Sequence, residues 1–167
     1  FRNSVHYRFA ELAFCGNKFE RAIEYLENIE PGSKVGTAQE HLVNDALDFM
    51  LLIEANLQDS LTTLPLYAVH LQAVRNRKLV DAVQVLDSLV QMYPESELAA
   101  KSLMEAAKLH SKLDQVDDAV AAYERINSAY SESIYADEAL FLMAGLYEEQ
   151  GKTSLAISHY EKLLEHF

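Results

Sequence analysis

Small and apolar residues recur at three- and four-residue intervals along most of the chain, the spacing that gathers side chains on one face of an α-helix. In three places the pattern repeats itself: Leu79–Leu86, Val116–Tyr123 and Thr153–Tyr160. Ala82, Ala119 and Ala156 lie 37 residues apart, and four residues beyond each stands a bulky side chain, Leu86, Tyr123 or Tyr160. An aliphatic residue follows at the next turn (Leu89, Ile126, Leu163), and then an aromatic one (Tyr93, Tyr130, Phe167). A small residue is what a helix needs where its backbone crosses close to another. The large ones fill the space on either side of the crossing.

Ahead of each such helix the pattern predicts another, at Leu64–Arg75, Leu98–Lys112 and Ala136–Gln150. Short polar breaks join the members of each pair: 76–78, Asp114-Gln115 and Gly151-Lys152. A fourth pair is predicted at the N-terminus, Val5–Phe14 with Ala10 at the small position, then Gly16-Asn17, then Phe19–Leu26 with Ala22. Leu26 and Ile29 follow at the expected spacings, and Pro31-Gly32 stops the helix. Ala22 and Ala82 are 60 apart, so 23 residues exceed one period. The stretch Ala38–Ala55 absorbs them as one further helix, with Leu42, Ala46, Phe49 and Ile53 on its stripe. Thr62-Thr63 before Leu64-Pro65 reads as an N-cap with proline in the first turn. Nine helices are expected.

Helix, tight turn, helix at a fixed period resembles the tetratricopeptide repeat. The last unit carries the resemblance best, with Ala144 and Tyr147 in the first helix, Gly151 at the turn, and Ala156 and Tyr160 in the second. Where that family commonly has Trp this chain has Leu140, and Leu66 and Leu103 in other units; the period is 37 rather than the usual 34. The longer linker resembles repeats common in bacterial envelope-associated proteins, which implies an envelope or periplasmic setting. The resemblance implies an all-α fold, a right-handed α-α superhelix of tetratricopeptide-like hairpins. The expected organisation is a single domain over 1–167, with pairs at about 3–30, 63–93, 98–130 and 134–167 and one inserted unpaired helix at about 38–55. The start at Phe1 and the end at Phe167 within a helical pattern read as the limits of a piece of a longer protein.

Composition narrows the partners. The chain carries 26 Asp and Glu against 14 Lys and Arg, a formal charge of −12. Such a surface repels phosphate backbones and anionic headgroups, which argues against nucleic acid and membrane surfaces. Apolar runs such as Phe49–Ile53 are too short to span a bilayer. Five Gly and three Pro are too few for a turn-rich β fold. With Cys15 as the single cysteine, no intramolecular disulfide can form.

Candidate chemistry is sparse. The histidines His6, His41, His70, His110, His159 and His166 include no i, i+4 pair of the kind that holds zinc on a helix. Cys15 sits among apolar neighbours beside a turn, the setting of a packed residue. Asp117-Asp118 falls in a first helical turn, where the helix dipole alone favours acid. There is no glycine-rich phosphate loop and no nucleophile elbow. The reading is a non-enzyme with no cofactor and no metal.

In the family resembled, the first helix of each pair lines a concave surface that binds peptides or partner helices. Residues of the first helices that lie off the stacking stripe are therefore the candidates: Tyr67, Leu71 and Arg75; Lys101, Met104, Lys108 and Lys112; Phe141 and Glu148. Lys101, Lys108 and Lys112 share one helix face and form the one local basic cluster, set either against acidic groups of a partner or as a solvated face partly neutralised by Glu105. Tyr67 and Phe141 would add apolar anchors. The expected function is a scaffold that binds a protein or peptide. The alternatives are a spacer or self-association module, which implies a homo-oligomer, and an accessory domain of a larger protein.

Overall fold

In a computed structural model, residues 1–30, 38–59 and 62–165 are described. They form nine α-helices and one 3-10 turn, with no strand among them. The helices are α1 (Arg2–Cys15), α2 (Phe19–Glu27), α3 (Ala38–Ala55), α4 (Thr63–Arg75), α5 (Leu79–Met92), α6 (Leu98–Lys112), α7 (Val116–Ala129), α8 (Ala136–Glu149) and α9 (Thr153–Glu165); the 3-10 turn is Leu57–Asp59. The expected helices are all present, and α6 has the predicted limits. The stop at Pro31-Gly32 and the final residues His166 and Phe167 lie outside the described residues. The chain divides into two compact units, Phe1–Arg75 and Asn76–Phe167. The hairpin predicted over 63–93 runs across that division.

The second unit is built by repetition. Each of α5 to α9 packs against the next. Ala82 and Ala119 are completely buried, and Ala156 is nearly so. A methyl group at these crossings lets the backbones close up, while Leu86, Leu89, Tyr123 and Ile126 fill the core alongside. Val90, Leu103, Met104, Ala107, Ala139, Leu140, Met143 and Tyr147 complete one continuous cluster with them. Burying each large aliphatic contributes about 1.5–3 kcal/mol, and no single hairpin has enough partners to gather that burial alone.

The turns inside the hairpins repeat as closely as the core does. Lys18, Gln115 and Lys152 each donate a backbone N–H to the carbonyl five residues back, of Ala13, His110 and Tyr147, at 2.8–2.9 Å. The residue before each of them, Asn17, Asp114 or Gly151, takes positive φ (56°, 60° and 70°). This is the left-handed cap that satisfies the last carbonyls of a helix. Arg77, one period before Asp114, has φ 57°. Glycine occurs at only one of these four positions.

Between hairpins the linkers also repeat. Ser96 and Ser133 each accept, through the side-chain hydroxyl, an N–H from two residues on, Leu98 and Tyr135. The Tyr130 hydroxyl donates to the Pro94 carbonyl at 2.8 Å, tying one linker to the next.

The first unit has a different core. Phe14 is completely buried and touches three other rings: Phe19 and Phe49, each at 5.1 Å between centroids, and Tyr67 at 6.4 Å. These come from α1, α2, α3 and α4, and the last three of these all pack on α2 or α1. Ala10 and Ala22 form the close crossing of α1 with α2. On α3, Ala46 and Ile53 of the predicted stripe are buried and Leu42 and Phe49 half-buried. Asn3 anchors the end of this hairpin: its side-chain amide donates to the Glu30 carbonyl at 2.7 Å and its oxygen accepts the Glu30 N–H at 3.3 Å. α4 begins at Thr63 with Pro65 in its first turn, where a missing N–H costs nothing.

Candidate functional site

α6 and α8 are the first helices of two successive hairpins, and side chains join them along one face. Lys108 on α6 reaches the Glu138 carboxylate on α8 at 2.9 Å, with both side chains part-exposed. One and a half turns earlier the Lys101 ammonium lies 5.5 Å from the centre of the Tyr135 ring, at the start of α8. Such a contact adds about 0.5–1 kcal/mol at an exposed site. Lys112, in the last turn of α6, is exposed. Its charge and that of His110 lie where the helix dipole favours cations.

Farther along α8, Phe141 is 54% exposed, and its ring meets Tyr160 of α9 at 5.8 Å. The Tyr160 hydroxyl donates to Glu148 Oε2 at 3.3 Å. Partial burial, then the nearby carboxylate, raises the Tyr160 pKa, so the phenol stays protonated and keeps donating. One period earlier Tyr123 is enclosed, and burial pushes its pKa up to about 12, with Glu138 and Glu105 adding to the shift and Ser111 opposing it.

The predicted site residues divide between the units. On α6 and α8, Lys101, Lys108, Lys112, Phe141 and Glu148 have side chains at the surface. Met104 does not: it is 1% exposed and part of the core with Tyr123 and Met143. Off-stripe within its own hairpin, it is covered by the hairpin that follows. On α4, Leu71 is half-buried and Arg75 exposed, with its guanidinium 3.8 Å from Glu11. Tyr67 is 3% exposed between the rings of Phe14 and His70, which makes it a core residue and not a surface anchor.

Sequence reasoning missed Glu138, Tyr135 and Tyr160. Glu138 was within reach, since it stands one period after Lys101 and so occupies the same place on its helix. It, rather than Glu105, is the carboxylate bonded to Lys108. Tyr135 precedes the helical pattern, and Tyr160 had been assigned wholly to stacking.

Beyond this face the chemistry is slight. Among the described residues no group of three or more His, Cys, Asp and Glu is arranged to hold a metal ion. No described helix is long and apolar enough to cross a membrane. Burial, and then Glu11, raises the Cys15 pKa against the opposing influence of Arg75, so its thiolate is disfavoured. His159 stacks on Tyr147 at 5.4 Å, and its pKa is lowered by burial and then by Lys162, with Glu124 opposing.

Comparison with known proteins agrees with this architecture. A family model for the tetratricopeptide repeat matches residues 101–133 and 138–167. The crystal structure of MamA superposes with a TM-score of 0.54 at 15% sequence identity, covering 93% of this chain and 92% of that one. No curated protein matches the sequence. Two consecutive tetratricopeptide repeats thus occupy residues 101–133 and 138–167, in a chain whose fold is that of a tetratricopeptide-like helical repeat protein.

Proposed function

We propose that this chain is a protein-binding scaffold, and that the face shared by α6 and α8 takes an extended or helical peptide with an apolar anchor and acidic residues beside it. The observation that carries the reading is Phe141, a phenylalanine more than half exposed beside a row of lysines in a chain of net charge −12. An exposed large aromatic costs solubility unless a partner covers it. Lys101 and Lys112 supply positive charge on the neighbouring helix, and Lys108 is held in place by Glu138. A partner carboxylate that displaced Glu138 would exchange one ion pair for another, so the lysines select for acidic ligands more than they add affinity. Leu71 and Arg75 on α4 are proposed as further contacts from the first unit.

The test is selection from a random peptide library on the chain, followed by titration calorimetry of the enriched peptides. Acidic sequences with an aromatic or large aliphatic residue are expected. Phe141→Ala should weaken them about tenfold, or about 1.4 kcal/mol, and Lys112→Glu should weaken them in a salt-dependent way. Peptides bound equally well by both variants would remove this face from consideration.

A further inference from the structure

We propose that the chain associates with a second copy of itself end to end, the outer face of α9 in one copy receiving the outer face of α1 in the next. Equivalent repeat positions carry the argument. Within the second unit each second helix is covered by the first helix of the following hairpin: α6 lies on α5, and α8 on α7. Under those covers Val83, Leu86 and Val90 of α5 are buried, as is Tyr123 of α7. The same positions on α9 are Ile157, Tyr160 and Leu164, which fall on one helix face. Ile157 is exposed and Tyr160 half-buried, and Leu164 is 74% exposed where its counterpart Val90 is 1%. Among the described residues no helix follows α9 in the place that α8 takes on α7.

The missing complement is on the same chain. α1 is also the first helix of a hairpin, with Ala10 and the Asn17 turn in the places of Ala144 and the Gly151 turn. In that register Val5, Phe9 and Leu12 stand where α8 has Ala139, Met143 and Leu146 and where α6 has Ser102, Ala106 and Leu109. On α6 and α8 these positions face the preceding second helix, and all but the half-buried Leu146 are buried. On α1 all three are exposed, Phe9 by 46% against 1% for Met143. Thus α9 is a second helix without its following first helix, and α1 is a first helix without its preceding second helix. The charges also complement one another: α1 has two Arg and one Glu, and α9 has two Glu and one Lys. A contact between unlike faces leaves one of each kind open at the ends, so it extends beyond a dimer.

The experiment is sedimentation of the whole 167-residue chain from micromolar to near-millimolar concentration, beside two double variants at exposed positions, Val5→Glu/Leu12→Glu and Ile157→Glu/Leu164→Glu. The wild-type average mass should rise with concentration through twice the monomer and beyond. Each variant alone should remain at monomer mass. Mixed in equal amounts they should form a species of twice that mass and no larger, because each supplies the face the other lacks. In the wild type, amide exchange in α1 and α9 should slow as concentration rises, a readout that depends on no variant. A wild type that is monomeric throughout overturns the proposal. So does a mixture that fails to associate, which would indicate a contact between like faces, and so does slowed exchange confined to other helices.

Discussion

The two units reach a buried core by different routes. In Asn76–Phe167 the same small set of positions is used again at each period, and a completely buried alanine at the crossing (Ala82, Ala119) sets the distance between helices. In Phe1–Arg75 the core centres on one side chain, Phe14, which touches rings from three other helices. Stability in the repeated unit is spread over many equivalent contacts, whereas in the first unit it converges on a point. The largest expected effect follows. Phe14→Ala should cost about 3–5 kcal/mol, and hydrogen exchange should show protection lost in α1 to α4. A variant that melts only α1, leaving α3 and α4 protected, would mean that the ring cluster is not the centre of that unit.

In the repeated unit the corresponding change is overfilling. Ala119→Leu has no room at the α6–α7 crossing and should cost about 1–3 kcal/mol in chemical denaturation. Ala156→Leu should cost less, since the outer face of α9 is open and the helix can shift. Equal costs at the two sites would contradict that difference. Turn substitutions come next. Gly151→Ala must hold a side chain at φ 70° and should destabilise by about 1 kcal/mol, although nothing lies within 4 Å of the added methyl group. Arg77→Gly should stabilise by a similar amount, about 1 kcal/mol, read as a rise in melting temperature. Arg77→Asn should recover part of it, because asparagine tolerates this conformation.

The smallest effect is one of pH. The folded-state pKa of His159 lies below its ordinary value of 6.5, so the unfolded chain binds the proton more readily. The stability that neutral His159 contributes is therefore whole above 6.5 and is lost as pH falls from there through the folded-state value. The groups that set this are Glu124 on α7, the Tyr147 ring on α8, and Lys162 on α9. His159→Gln should flatten the dependence of melting temperature on pH in that window. An unchanged slope would assign it to the carboxylates instead.

The repeated unit was legible in sequence because its period transfers information: one hairpin's small and large positions predict the next, and α6 was placed to the residue. The first unit was legible only as helices. Its 23 extra residues break the register, so no equivalence marked Tyr67 as the neighbour of Phe14 rather than a surface residue. Met104 failed for a related reason. Helical spacing assigns a side chain to a face of its own helix, but whether that face is open depends on the helix added after it. Glu138 shows the opposite case, a residue the period identified and amphipathic reasoning passed over because it is charged.

The bond from Tyr130 to the Pro94 carbonyl gives the linkers a mechanical character. Tension along the chain in the second unit would load this latch across the linkers before it sheared α6 from α7. Tyr130→Phe should leave binding and melting almost untouched while lowering the force at which the first hairpin peels away. In that sense the latch sets a yield point for the array, separate from its thermodynamic stability.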